Sequence, residues 1–232
     1  MLPTLVSIVA LLAASAGVHG QTLVNGQIFT NGLAIVDAPA PNSPMHAGSV
    51  TQVAIDISGD GHLDQSASVP GSDKSTRFDS LEIYLVSYQT KLNLTVSSGP
   101  DLLTQEQGST VKHWDYNVST CIPAGSYNLT FYEASHVNDQ AYFSITAYPV
   151  TVMNDHPTDA CTNGTNALQD FPQLSSAPPQ SPWLDGTSIV TQPLPTATGN
   201  GAGVLLDSVS LRLGFGITAV HAVSCILFPL FL

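Results

Sequence analysis

FDSLEIYLVSY, residues 78–88, alternates along its length. Leu81, Ile83 and Leu85 fall on one parity, and Phe78, Glu82, Tyr84 and Val86 fall on the other. Neighbouring side chains of a strand point to opposite faces, so the stretch reads as a strand with an apolar face and a mixed face.

The same period recurs on both sides of it. Upstream lie GLAIVDA, residues 32–38, and VTQVAIDIS from Val50. Downstream lie TKLNLTVSS from Thr90, TVKHWDYNV from Thr110, GSYNLTFYEA from Gly125 and AYFSITAYPVTVM from Ala141. The last two read as a hairpin around SHVNDQ, residues 135–140. No run carries the spacing of a helix of three turns. About seven short strands in roughly 130 residues, broken by turn residues, fit an all-β, immunoglobulin-like two-sheet sandwich.

The two ends have a different character. Residues 1–20 hold an apolar run, Leu5 to Ala14, followed by small residues. The run is too short to span a bilayer and reads as a secretory signal peptide cut after Gly20, with Ala16 as the runner-up. Residues 213–232 are apolar with no basic tail behind them. Before them come the small residues Gly199 to Gly203 and a mixed spacer. That order is the signal for a glycosylphosphatidylinositol (GPI) anchor attached at Asn200, with Gly199 and Gly201 as close rivals, residues 201–232 being removed. A plain transmembrane helix is the rival reading of the tail. Between domain and anchor, residues 172–200 are rich in Pro, Ser and Thr and read as an extended, disordered stalk unable to form a core of its own. The folded ectodomain is then residues 21–171.

The whole chain has 17 Asp+Glu against 5 Lys+Arg, a net charge of −12. Removing residues 1–20 and 201–232 takes away only Arg212 and Asp207 among charged side chains, so the balance holds. Such a surface repels phosphate, which argues against nucleic acid and against anionic lipid. Of three cysteines, Cys225 leaves with the tail, and Cys121 and Cys161 form the expected disulfide of an oxidising compartment. Sequons stand at Asn93, Asn117, Asn128 and Asn163. The first three sit between apolar neighbours, so strand parity places each Asn outward and its neighbours inward.

DISGDGHLD, residues 56–64, is the one candidate ion site. Asp56, Ser58 and Asp60 match the first, third and fifth positions of a calcium loop, Gly61 the sixth and Asp64 the ninth. The twelfth position, which needs a bidentate Glu, is Ala67. A polar turn leaving a strand is the plainer reading. The histidines form neither HxH nor HExxH, and there is no GxSxG elbow. Glu82 and Glu133 could neighbour each other across a sheet as a glycosidase pair; two outward carboxylates on an acidic surface is the plainer expectation. Aromatics cluster in the strands and use both parities in the last hairpin, where Tyr142 adjoins Phe143. An outward row of rings would suit a sugar face.

AIVDAPAPNSPMHAGSVTQVAIDISGDG, LEIYLVS, CIPAGSYNLTFYEAS and AYFSITAYPVTV, spread over about residues 30–152, resemble fungal Ser/Thr-rich GPI-anchored membrane proteins. More distantly they resemble the N-terminal domain of yeast cell-wall-synthesis proteins linked to β-1,6-glucan assembly. The acidic GDGHLDQSASVPGSDKS insert, residues 59–75, and the short stalk depart from that pattern. The resemblance implies a non-catalytic sandwich at the cell surface, on the plasma membrane or in the wall. It brings no catalytic residue or cofactor. The expected partner is a wall glycan or a surface protein, with membrane contact through the lipid anchor alone.

Overall fold

A computed structural model describes residues 22–158, 160–170 and 173–184, and the backbone of 192–193. The expected signal peptide, the expected attachment site Asn200 and the expected anchor signal lie outside the described residues.

Among the described residues eleven strands form two packed sheets. A short hairpin opens the fold, β1 (Thr22–Val24) and β2 (Gln27–Phe29), followed by β3 (Ile35–Ala38). The chain passes a cis Ala38–Pro39 peptide and changes sheet into β4 (Pro44–His46). β5 (Val50–Asp56) returns to the first sheet, and β6 (Arg77–Ser87) and β7 (Leu92–Ser97) lie in the second. A single-turn helix, α1 (Pro100–Thr104), leads to β8 (Val111–Asn117). The hairpin of β9 (Gly125–Val137) and β10 (Gln140–Met153) follows, and β11 (Gln192–Pro193) comes last.

The first sheet runs β11-β1-β2-β3-β5-β8, and the second runs β4-β10-β9-β6-β7. Pairing is antiparallel except between β4 and β10. The hairpin β9–β10 beside β6 and β7, facing β3, β5 and β8, is the immunoglobulin-like arrangement. One local feature of that fold is present too. Tyr127, near the start of β9, donates its hydroxyl to the carbonyl of Pro123, 3.0 Å away, tying strand to preceding corner.

Alternation explains the core. Leu81, Ile83 and Leu85 of β6 and Tyr127, Leu129 and Phe131 of β9 point inward, against Val36, Val53 and Ile55 of the first sheet. Phe78 departs from simple parity. It is fully buried with the odd-numbered residues, because the β6–β9 register shifts between Phe78 and Ser80. The extra residue of that bulge, Asp79, turns the strand over once.

The disulfide joins Cys121, before β9, to Cys161, after β10, with a Cα separation of 5.1 Å. Beyond it the chain does not leave the domain. Residues 160–170 and 173–184 form a strap that crosses the outside of the second sheet and ends against the first, beside Leu33 and the β1–β3 cluster. Thr95 N–H donates to Gly164 O and Asn166 N–H to Asn93 O, which occupies the outer edge of β7. Such an edge, left bare, invites pairing with another chain. Tyr88 donates to Gln169 O, Ser176 N–H donates to Phe143 O, and β11 then pairs with β1. The strap thus runs from β7 across to β10. Part of the stretch expected as disordered stalk is packed: Ser181 is buried, and half-buried Trp183 packs against both the core between the sheets and a small first-sheet cluster of Val24, Phe29 and Ile35.

Candidate functional site

The glycine-rich loop after β5 is tied together by its own side chains and by Trp183. The Asp56 carboxylate caps the turn. Its Oδ1 accepts from the Ser58 amide at 2.6 Å and the Ser58 hydroxyl at 2.7 Å, and its Oδ2 accepts from the Asp60 amide at 3.1 Å. Ser58 Oγ accepts in turn from the Gly61 amide. Asp64 points away to an exposed ion pair with Lys74 at 3.5 Å. Among the described residues no three His, Cys, Asp or Glu side chains are placed to hold a metal ion. The loop instead seats Trp183, whose indole stacks on His62. Gly59 has φ +59°, and a Cβ there would collide with that indole. Glycine is needed at this point for both conformation and space.

Glu82 and Glu133 are not a pair. Glu133 lies opposite Leu81 and Glu82 opposite Tyr132, so the two carboxylates project from opposite faces of the sheet. Nor is Glu133 outward: it is 1 % exposed. Its Oε1 accepts from the Leu33 amide at 2.7 Å and its Oε2 from the Ala34 amide at 3.0 Å, which bolts β9 to the start of β3. Gly32 leaves the room, since a Cβ there would collide with the carboxylate. Burial pushes the Glu133 pKa above its ordinary value, the two backbone bonds opposing the shift.

The sequons divide into two classes. Asn117 and Asn163 are exposed. Asn93 and Asn128 hold the outward parity that the sequence indicates, yet they are 6 % and 0 % exposed. The outer face they occupy is the one the strap crosses.

That face carries the candidate site, a groove of about 290 Å³ lined by Ser80, Glu82, Tyr84, Asn93, Tyr132 and Phe143 with Asn166 and Gln169 of the strap. Three rings make its apolar wall. Tyr84 and Tyr132 meet edge to face with centroids 5.5 Å apart, and Tyr132 and Phe143 stack at 6.2 Å and 28°. Phe143 is one of the few large apolar side chains left exposed. The Tyr84 hydroxyl donates to Glu82 Oε2 at 2.8 Å. Burial first, and then this bond, push the Tyr84 pKa up to about 12, so its proton stays in place. Burial lifts Tyr132 as well. Asn93 donates its amide to Ala167 O at 2.9 Å, while its Oδ1 is buried with no partner. Asn166 donates to Thr95 Oγ1 at 2.9 Å. The result is an apolar ladder rimmed by one carboxylate and several amides. Tyr84, Tyr132 and Phe143 stood out in the sequence only as aromatics, and nothing there signalled that residues 166–169 would form the opposite wall.

A larger hollow, about 430 Å³, lies beside β8 and is lined by Gln52, Gln105, Glu106, His113, Trp114 and Asp115. The Lys112 ammonium shapes it by donating to the carbonyls of Gln105 and Glu106. Of the hollow's two rings, His113 pairs with Glu106 at 3.2 Å and Trp114 packs against the core, so the hollow presents no ladder of rings.

No protein-family model and no characterised protein matches the sequence.

Proposed function

We propose that the protein is a GPI-anchored, N-glycosylated surface protein of the fungal plasma membrane or wall, and that its sandwich contacts wall glycans through the groove on the second sheet. The carrying observation is the ladder of Tyr84, Tyr132 and Phe143 beside Glu82. A pyranose offers apolar C–H faces and a rim of hydroxyls. Rings take the faces, and a carboxylate and amides take the hydroxyls. Binding without cleavage is supported by the same geometry. Hydrolysis of a glycosidic bond uses two carboxyl groups on one cleft, and of the residues lining this groove only Glu82 carries one. The acidic balance supports a partner without phosphate.

The test is co-sedimentation of the secreted ectodomain with insoluble β-glucan and chitin, in calcium and in chelator. Calcium-indifferent binding, weakened at least tenfold by Tyr132→Ala and by Glu82→Gln, is the expected result. Binding that survives both substitutions would place the glycan elsewhere. Binding lost only in chelator would favour a calcium-dependent lectin. No binding in either buffer would turn the reading toward a protein partner.

A further inference from the structure

Asn128 stands in the middle of the outer face of the second sheet, opposite Val86 on β6 and Pro149 on β10. It opens the sequon Asn128-Leu129-Thr130. Its side chain is fully buried, and neither Oδ1 nor Nδ2 has a hydrogen-bond partner. The Thr130 hydroxyl, on the same face, is buried and unpartnered too. A primary amide closed off from water with nothing to bond is unfavourable, and native structures contain few.

Among the described residues, the strap is what crosses this face. It is fixed to β7 by Gly164, Asn166 and Ala167 and to β10 by Ser176, so its path spans β6 and β9 between them. An N-glycan hangs from the asparagine Nδ2, is bulky and requires open surface. A glycan on Asn128 and a strap on this face therefore claim the same volume. The strap can yield without unfolding the sandwich. Its root is covalent, the Cys121–Cys161 bridge. Beyond the root it is held by scattered hydrogen bonds and by Trp183.

We propose that glycosylation of Asn128 and docking of the strap are mutually exclusive, so that use of this sequon opens an aromatic groove that the docked strap walls, as a glycan on Asn93, whose Nδ2 bonds Ala167 O of the strap, would also do. The proposal rests on the groove reading for its purpose, but not for its test. The step is a saccharide transfer from a lipid-pyrophosphate donor. A bond forms between Asn128 Nδ2 and the anomeric carbon, that carbon's bond to phosphate breaks, the lipid pyrophosphate leaves, and one amide proton passes to base. The transfer acts on the extended chain, before the strap can dock on this face. Asn117 and Asn163 are exposed and place no such demand on the strap.

The full chain is made in a glycosylating eukaryotic host, alongside Thr130→Val, which abolishes the sequon with a side chain of the same shape, and Thr130→Ser, which keeps it. Occupancy of all four sequons is mapped by mass spectrometry of glycopeptides. Strap protection is read by amide hydrogen exchange over residues 162–184. Molecules glycosylated at Asn128 are expected to exchange there at least tenfold faster than Thr130→Val molecules bare at Asn93, with Thr130→Ser matching the parent chain. Wild-type chain made with glycosylation blocked supplies a second closed form should Thr130→Val fold poorly. An Asn128 glycan on a strap as protected as in the closed forms overturns the proposal. So does a secreted protein with Asn128 bare in every molecule. No saccharide ligand enters the readout, so failure here is separate from failure of the groove to bind glycan.

Discussion

The indole of Trp183 lies on the imidazole of His62, ring centroids 6.2 Å apart and planes 16° from parallel. Its Nε1–H donates to Leu33 O at 2.7 Å. One side chain therefore joins the strap to the glycine-rich loop and to the turn before β3. Trp183→Ala is expected to destabilise the domain by about 2–3 kcal/mol, below the range for a fully buried Trp because this one is half-buried. Gly59→Ala, which drives a Cβ into the indole from a left-handed backbone, is expected to release Trp183 while leaving the sheets paired. Chemical denaturation measures the first. Tryptophan emission shifting to the red, with far-ultraviolet circular dichroism unchanged, reads the second.

Glu133 gives the stability a pH dependence opposite in sign to the usual carboxylate. Burial holds its pKa above 4.5 in the folded chain, so the folded state takes up a proton before the unfolded state does. Stability then falls as pH rises from about 4.5 through the folded-state pKa. Glu133→Gln is expected to flatten that slope. It also sets an NH₂ donor against the Leu33 or Ala34 amide and leaves one of them unsatisfied, at about 1–3 kcal/mol. Thermal unfolding of both chains between pH 4 and pH 8 checks it. A slope unchanged in the variant would assign the dependence to another group.

The Cys121–Cys161 bridge closes a separation of 40 residues that takes in the whole β9–β10 hairpin. Opening it restores loop freedom to the unfolded chain, worth about 4 kcal/mol in the chain-entropy model. It also frees the root of the strap. The Cys121→Ser, Cys161→Ser double variant is expected to unfold at lower denaturant and to be cut by protease first between residues 162 and 184. A cut first within β9 or β10 would show that the bridge guards the hairpin rather than the strap.

Much of the sandwich is legible because burial on one face imposes a period of two. The runs that became β5 to β10 all show it, and the remaining pair of cysteines shows the bridge. The missed strands are β1, β2, β4 and β11, each three residues or fewer, too short to display a period. Phe78 was placed on the wrong face because a bulge inverts parity and leaves no mark in composition. The strap was hidden for a different reason. A segment rich in Pro, Ser and Thr cannot build a core, but it needs none when it lies on a finished sheet and bonds through its backbone. For the same reason the outward parity of Asn93 and Asn128 was correct and their exposure was not. The rings of the groove were visible in the sequence, and their arrangement around Glu82 awaited the register of β6, β9 and β10.

Asp56 and Asp64 separate the two readings of the glycine-rich loop. If the loop is a capped turn, Asp56→Ala removes three hydrogen bonds to the carboxylate, two of them from backbone amides, and is expected to destabilise by about 2 kcal/mol. The loss should be the same in calcium and in chelator, since both carboxylate oxygens already accept donors from the turn itself. Asp64→Ala should be silent, its ion pair being with exposed Lys74. A calcium loop predicts the reverse pattern. Both substitutions would then matter, and only when calcium is present, because each would remove an oxygen from one ion rather than a cap from one turn. Thermal unfolding of the parent and the two variants with millimolar calcium and with chelator distinguishes them. A midpoint of the parent chain that rises with calcium and falls back with Asp64→Ala would overturn the capped-turn account.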